Sequence, residues 1–151
     1  MQIEIVKATV DHIPYIAEFQ VQMAFETEEM RLEKPRVLAG VKKFFHQPDR
    51  GFYLIAKVQP NKIGGCLLVQ KEWSDWRNRE VWWLHSVYVL PAYRKSGIFR
   101  RFFKQIEALA QEHDIAAIRL YVEKNNLPAQ EVYKKLGMNN QHYELFEKML
   151  I

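Results

Sequence analysis

The chain has 151 residues, 48% of them hydrophobic and 26% charged. That is enough apolar content for one core and argues against a disordered chain, so a single domain over residues 1–151 is expected. No apolar run approaches the length of a membrane span, and the single Cys66 excludes an intramolecular disulfide. The N-terminal Met-Gln-Ile-Glu-Ile-Val-Lys lacks a signal-peptide layout, and together these features lead to the expectation of a cytoplasmic protein. A net charge of +4 and a pI near 9.1 leave a nucleic-acid partner open on charge alone.

Residues 3–7 alternate as a first strand. Thr9 or Asp11 can cap a helix whose inner side carries Ile13, Ile16, Phe19, Gln20, Met23 and Ala24. Pro35 opens a second helix through Val37, Leu38, Val41, Phe44 and Phe45, which ends before Pro48. Residues 49–51 make a turn, 52–58 a strand, 59–62 a hairpin turn and 63–71 the partner strand. Cys66, inside Gly-Gly-Cys-Leu-Leu-Val, reads as a buried strand residue and not as a nucleophile. Residues 72–79 read as an irregular loop, and residues 81–89 as a long strand.

That strand runs into the most telling stretch of the chain, Val-Tyr-Val-Leu-Pro-Ala-Tyr-Arg-Lys-Ser-Gly-Ile-Phe. A basic turn containing Gly97 follows Pro91, and then Phe99, Phe102, Phe103, Ile106, Leu109 and Ala110 recur at helical spacing. Strand, glycine turn and helix start present unpaired N–H groups at the positive end of a helix dipole. Arg94, Lys95, Arg100 and Arg101 surround that start, with no acidic residue between Tyr93 and Gln105. The arrangement reads as a pyrophosphate cradle, which accounts for the basic cluster without nucleic acid. The aromatic residues beside it fall on the core face, where they cannot stack on bases.

A strand over 117–122 comes next, then a helix that Asn125 or Asn126 can cap, with Pro128 in its first turn. Ala129, Val132, Tyr133 and Leu136 form one face, and Gly137 stops the helix in the left-handed conformation. Residues 143–149 are expected to close the sheet. The order is β-α-α-β-β-β-α-β-α-β, an α/β fold with one mixed central sheet flanked by helices.

Two motifs in this order, Arg94-x-x-Gly97-x-Phe99 after a strand and Asn126-x-x-Ala129-x-x-x-Tyr133-x-x-x-Gly137, resemble the GNAT superfamily of N-acyltransferases. The resemblance is close in the central and C-terminal half. In the N-terminal half it extends to element order only. Two residues depart from the family's pattern: Phe99 stands where Gly or Ala is usual, and Met138 where Phe is frequent. Phe99 adds bulk beside the cradle, while the backbone N–H groups that would carry the contact remain.

The resemblance implies acetyl transfer from acetyl-coenzyme A to a primary amine by direct attack in a ternary complex. The N–H groups of Lys95, Ser96, Gly97, Ile98, Phe99 and Arg100, with Arg94, would hold the pyrophosphate. Val87, Tyr88 and Val89 would align the pantetheine arm, with a backbone N–H near Val87 or Val89 facing the thioester oxygen. Asn126 would contact the pantetheine as well as cap its helix. Tyr133 would protonate the departing thiolate; as a side chain by itself it also suits a half-buried core position.

Strand alternation puts Trp83, His85 and Val87 on one face. His85 is a candidate general base, against packing as a sheet histidine, with Glu72, Glu80 or water as alternatives. Trp73 and Trp76 sit three apart in a polar stretch, Glu-Trp-Ser-Asp-Trp-Arg. With Trp83 they are expected to wall an amine pocket whose charge comes from Glu72 or Asp75, the alternative being that they cover the open end of the sheet. Glu26 and Glu28, at the end of the first helix, are weaker acceptor candidates. No metal, nucleic-acid or membrane partner is expected, and a homodimer is compatible with the sequence. A non-catalytic acyl-coenzyme A sensor is the alternative reading, as is transfer to a peptide or protein amine.

Overall fold

The alternating apolar segments of the sequence assemble into a five-stranded sheet of order β1-β2-β3-β4-β5 in a computed structural model that describes residues 2–151. The strands are β1 (Glu4–Lys7), β2 (Gly51–Gln59), β3 (Lys62–Ser74), β4 (Arg79–Val89) and β5 (Ala117–Arg119). The helices are α1 (Ile13–Glu28), α2 (Lys34–Phe45), α3 (Ile98–Glu112) and α4 (Leu127–Lys135). The first four strands run antiparallel, and β5 lies parallel to β4. The chain forms two compact units, residues 2–119 and residues 120–151. No helix among the described residues is long and apolar enough to cross a membrane.

Register decides which side chains share a face of the sheet. Leu68 lies opposite Tyr53 on one side and His85 on the other, and Cys66 lies opposite Ile55 and Tyr88. These residues therefore point to one face. There Ile13, Ile16, Ala17 and Phe19 of α1 and Val41 of α2 join Tyr53, Ile55, Cys66, Leu68 and Tyr88 in one buried cluster. Phe19 and Tyr88 pack with ring centroids 5.5 Å apart. The opposite face carries Leu54, Leu67, Val69, Trp82 and Leu84, all buried. The apolar stripe of α3 is Ile98, Phe102, Phe103, Ile106 and Ala110, with Phe99 only half-buried. Ile98, not Phe99, is thus the first residue of that stripe to be fully buried.

Three expected elements differ. Residues 72–79 are not a loop. β3 continues through Ser74 and β4 starts at Arg79, leaving a turn at 75–78 with Asn78 left-handed at φ 52°. Trp73 pairs with Glu80 and Ser74 with Arg79, so ladder hydrogen bonds extend the hairpin where the polar sequence suggested irregularity. β5 is three residues long and ends at Arg119, short of the expected 122. Residues 143–149 form no strand: Tyr143 and Phe146 are 72% and 90% exposed. Alternating apolar residues become a strand only as part of a ladder, and residues 143–149 join none.

Within residues 120–151, Asn126 caps α4, accepting from the Ala129 N–H at 3.3 Å. Gly137, at φ 90°, ends it: its N–H reaches the Lys134 carbonyl at 3.0 Å and the Met138 N–H reaches that of Tyr133 at 3.1 Å. This is the paired-bond stop that glycine permits. Of the face expected on this helix, Val132 is exposed.

Two glycines test this packing in opposite directions. A Cβ on Gly65 would lie 2.5 Å from the Tyr88 carbonyl oxygen, whereas Gly40, exposed in α2, has open space. Gly65→Ala is expected to destabilise by about 1–3 kcal/mol through overpacking. Gly40→Ala is expected to stabilise by roughly 0.5–1 kcal/mol through helix propensity. Urea denaturation of both variants checks the pair.

Candidate functional site

The start of α3 is a left-handed glycine turn ringed by basic side chains. Gly97 is its N-cap, left-handed at φ 83°, and a Cβ added there would meet nothing within 4 Å. Lys95 is also left-handed, at φ 63°. The first helical bond joins the Arg101 N–H to the Gly97 carbonyl at 3.1 Å, so the N–H groups of the first turn point toward the N-terminal end of the helix. The Ser96 hydroxyl donates to the Tyr93 carbonyl and so pins the turn. Lys95, Arg100 and Arg101 are exposed around it. A concave run of backbone N–H groups with surrounding cations fits a pyrophosphate.

The strand leading into that turn has β3 on one side. On its outer edge the parallel ladder with β5 covers Val81, Trp82 and Trp83 and stops there. The Leu90 N–H turns toward β3, bonding to Gly64 at 2.9 Å. Alternation then aims the N–H groups of Val89 and Val87 at the outer edge. An extended amide chain can pair with such an edge.

A bulge shapes this edge. Between the pairs Leu68–His85 and Cys66–Tyr88, β4 uses two residues, Ser86 and Val87, where β3 uses one, Leu67. Ser86 is left-handed at φ 54°. The bulge shifts the alternation by one, so Tyr88 shares the face of Trp83 and His85. Unbroken alternation would have put Val87 there, and the extra residue is the reason for the difference.

Tyr88 and Arg94 meet at Glu26. The Glu26 carboxylate accepts from the Tyr88 hydroxyl and from the Arg94 guanidinium, each at 2.6 Å. These hydrogen bonds hold its pKa below the usual glutamate value, the Tyr88 contact contributing most. Arg94 also donates from Nε to the Val89 carbonyl at 2.9 Å and lies over the Tyr88 ring. Its side chain therefore ties the end of β4 to α1, and the backbone of the turn is left to form the cradle.

On the same face, Trp83 stacks on His85 with ring planes 3° apart and centroids 6.0 Å apart. The Trp83 indole N–H donates to Glu72 at 3.1 Å, and Glu72 also pairs with Arg119 at 3.5 Å. Burial lowers the His85 pKa, which leaves a neutral imidazole at pH 7. The three tryptophans do not form one wall. Trp73 pairs with Glu80 and points to the opposite face of the hairpin from Glu72 and Trp83, while Trp76 is 88% exposed on the turn beside Asp75. Glu80 is on the Trp73 face, accepting from the Trp82 indole at 3.2 Å.

Tyr133 is half-buried and lines a cleft with Leu120, Val122 and Met138. Burial raises its pKa, so the phenol holds its proton at neutral pH. Sequence reasoning assigned no site role to two further residues. Arg119, the partner of Glu72, gave no signal because charge pairing across strands depends on register. Gln20 did give one: an amide on an otherwise apolar helix face, now found 9% exposed beneath the bulge.

Residues 15–138 match the Acetyltransferase (GNAT) family. The chain is similar to two thialysine N-epsilon-acetyltransferases, one from Bos taurus (34% identical over 50% of this chain and 44% of that protein) and one from Sus scrofa (30% identical over 65% and 58%). It thus spans about half the length of the curated relatives it matches. Among solved structures it is similar to a possible acetyltransferase from Clostridium difficile 630, with a TM-score of 0.91, 36% identity, and coverage of 100% of this chain and 99% of that one. A predicted acetyltransferase with acetyl-CoA from Clostridium acetobutylicum shares the fold at a TM-score of 0.78 and 18% identity, over 99% and 97% of the two chains. With a glycine-opened cradle after a bulged strand, an Asn-capped helix stopped by Gly137, and a family match over most of its length, the chain belongs to the GNAT acetyltransferase family.

Proposed function

We propose that the protein transfers the acetyl group of acetyl-coenzyme A to a primary amine of a small molecule by direct attack in a ternary complex. The observation that carries this reading is the continuity of the outer β4 edge at Val87 and Val89 with the basic, Gly97-opened start of α3. One element pairs with an extended amide arm and the next receives its pyrophosphate. The bound thioester supplies the activated acyl carbon.

The chain's own groups then divide the remaining work. The N–H groups of residues 96–100 hold the phosphates, and Lys95, Arg100 and Arg101 add charge. Arg94 serves by holding Val89 in place. The Val87 or Val89 N–H donates to the carbonyl oxygen as it gains charge. Neutral His85 removes the proton from the acceptor ammonium, directly or through water, and Glu72 and Trp83 shape the acceptor side. As the C–N bond forms and the C–S bond breaks, Tyr133 gives its proton to the thiolate. Asn126 sets the start of the helix that bears Tyr133. Glu26, already engaged by Tyr88 and Arg94, sits at the same face as a boundary of the acceptor side. The similarity to thialysine N-epsilon-acetyltransferases supports beginning an acceptor screen with lysine-like amines, read by thiol release. Coenzyme A binding with no turnover on any amine would instead favour a sensor.

Coenzyme A is expected to raise the melting temperature of the protein by mass action, and Gly97→Glu to abolish that rise by placing bulk and negative charge in the cradle. A calorimetric titration showing unchanged affinity in the variant would locate the phosphates elsewhere.

Tyr133→Phe is expected to lower kcat about 10–100-fold while moving the KM for acetyl-coenzyme A little, as for an interaction made in the transition state. Steady-state kinetics separate this from a packing defect, which would lower folded fraction without that split.

The pH profile follows from His85. Its pKa is lowered by burial, so the base form is present above a value under the usual 6.5 and is lost as pH falls through it. The rate should therefore climb on the acid side and level off before neutrality, and His85→Ala should remove that climb. Persistence of the climb in the variant assigns it to another group.

A further inference from the structure

We infer that Gln20 is a positioning residue whose buried amide holds the Ser86 carbonyl and thereby fixes the β4 bulge that aims the Val87–Val89 edge. Gln20 lies on α1, among the apolar residues that pack on the sheet, and is the one polar side chain in the buried set among the described residues. A buried amide is costly without partners, so what it bonds to is informative. Its Nε2 donates to the Ser86 carbonyl oxygen at 3.4 Å and to the Cys66 sulfur at 3.4 Å. The Cys66 thiol itself donates to the same Ser86 carbonyl at 3.6 Å. Burial pushes the thiol pKa up to about 12, so it remains a donor at any ordinary pH.

Three features thus converge on one carbonyl. Ser86 is a non-glycine residue in the left-handed region, a conformation that persists where its surroundings over-determine it. It sits at the two-for-one step in the ladder, where the strand loses its regular bonds to β3. The donors that replace those bonds come from α1 and from the facing strand. Without them the carbonyl would be free to swing back, the alternation would shift, and the N–H groups of Val87 and Val89 would no longer share the outer edge. The effect on the reaction rests on the transferase reading above. The structural pin does not.

The test compares Gln20→Met, which keeps the length and removes the amide, with Ser86→Gly and with the double variant. Gln20→Met is expected to lower kcat about tenfold with the KM for acetyl-coenzyme A changed less than about twofold, the pattern of a lost transition-state contact. Its Val87 and Tyr88 amides should exchange with deuterium about tenfold faster than in the parent protein, since local opening sets that rate. Glycine takes the left-handed conformation freely, so Ser86→Gly in the Gln20→Met background should recover most of the lost kcat. Unchanged kcat and exchange in folded Gln20→Met, or a double variant no faster than Gln20→Met, overturns the inference. Should Gln20→Met not fold, Gln20→Asn carries the same comparison. Failure of both to fold, with no recovery on adding Ser86→Gly, assigns Gln20 to packing alone and also overturns it. A parent protein inert toward every amine, yet showing the exchange difference, would sink the transferase reading and leave the pin standing.

Discussion

The ladder between β3 and β4 is the constraint on which the rest of the structure depends. It spans nine cross-strand pairs and breaks register once, at Ser86 and Val87. Side chains alternate with period two, so one extra residue moves everything beyond it to the other face. Because of that step, Tyr88 and His85 both look toward α1. Tyr88 can then reach Glu26, and Glu26 can hold Arg94. The same step turns the N–H groups of Val87 and Val89 off the ladder. A regular strand would have buried Val87 where Tyr88 lies and left Glu26 and Arg94 without their common partner.

Charge in the turn between β4 and α3 is organised by backbone before side chain. Arg94, the first basic residue of the turn, is engaged by the Val89 carbonyl and Glu26. The exposed ion pair adds little to stability by itself, but with the ring of Tyr88 beneath the guanidinium it fixes where β4 ends and the turn begins. The turn then carries a left-handed glycine, the N–H groups at the start of α3 and the exposed charges of Lys95, Arg100 and Arg101. N–H groups held by a helix are already oriented, so they need no side-chain ordering when a phosphate arrives.

The hairpin separates aromatic residues that the sequence brings close. Trp73 and Trp83 lie on opposite faces, and Trp76 stands out on the turn. Trp83 keeps His85 and Glu72 as neighbours, and Arg119 of the parallel strand neutralises Glu72. That face of the hairpin therefore carries one aromatic ring, one imidazole and one paired carboxylate. It is a smaller and less acidic surface than three tryptophans with free carboxylates would have made.

Several features were legible because their causes are local. The glycine turn after a β-branched strand, the apolar stripe from Phe102 to Ala110, and the Asn126 cap with its Gly137 stop depend on backbone conformation and spacing within one segment. So does the α1 face, down to Gln20 on the inner side, and the α2 face apart from Leu38, which is exposed. Other features depend on pairing between distant segments, and only the tertiary structure decided them. The ladder made strand of residues 72–74, and its absence left residues 143–149 without one, although both stretches are mixed polar and apolar. The left-handed Ser86 carries no glycine to announce it; it is held from α1 by Gln20, 66 residues away in the chain. Local propensity writes the elements, but register and the donors that enforce it are set by contacts across the fold, and those contacts determine which side chains share a site.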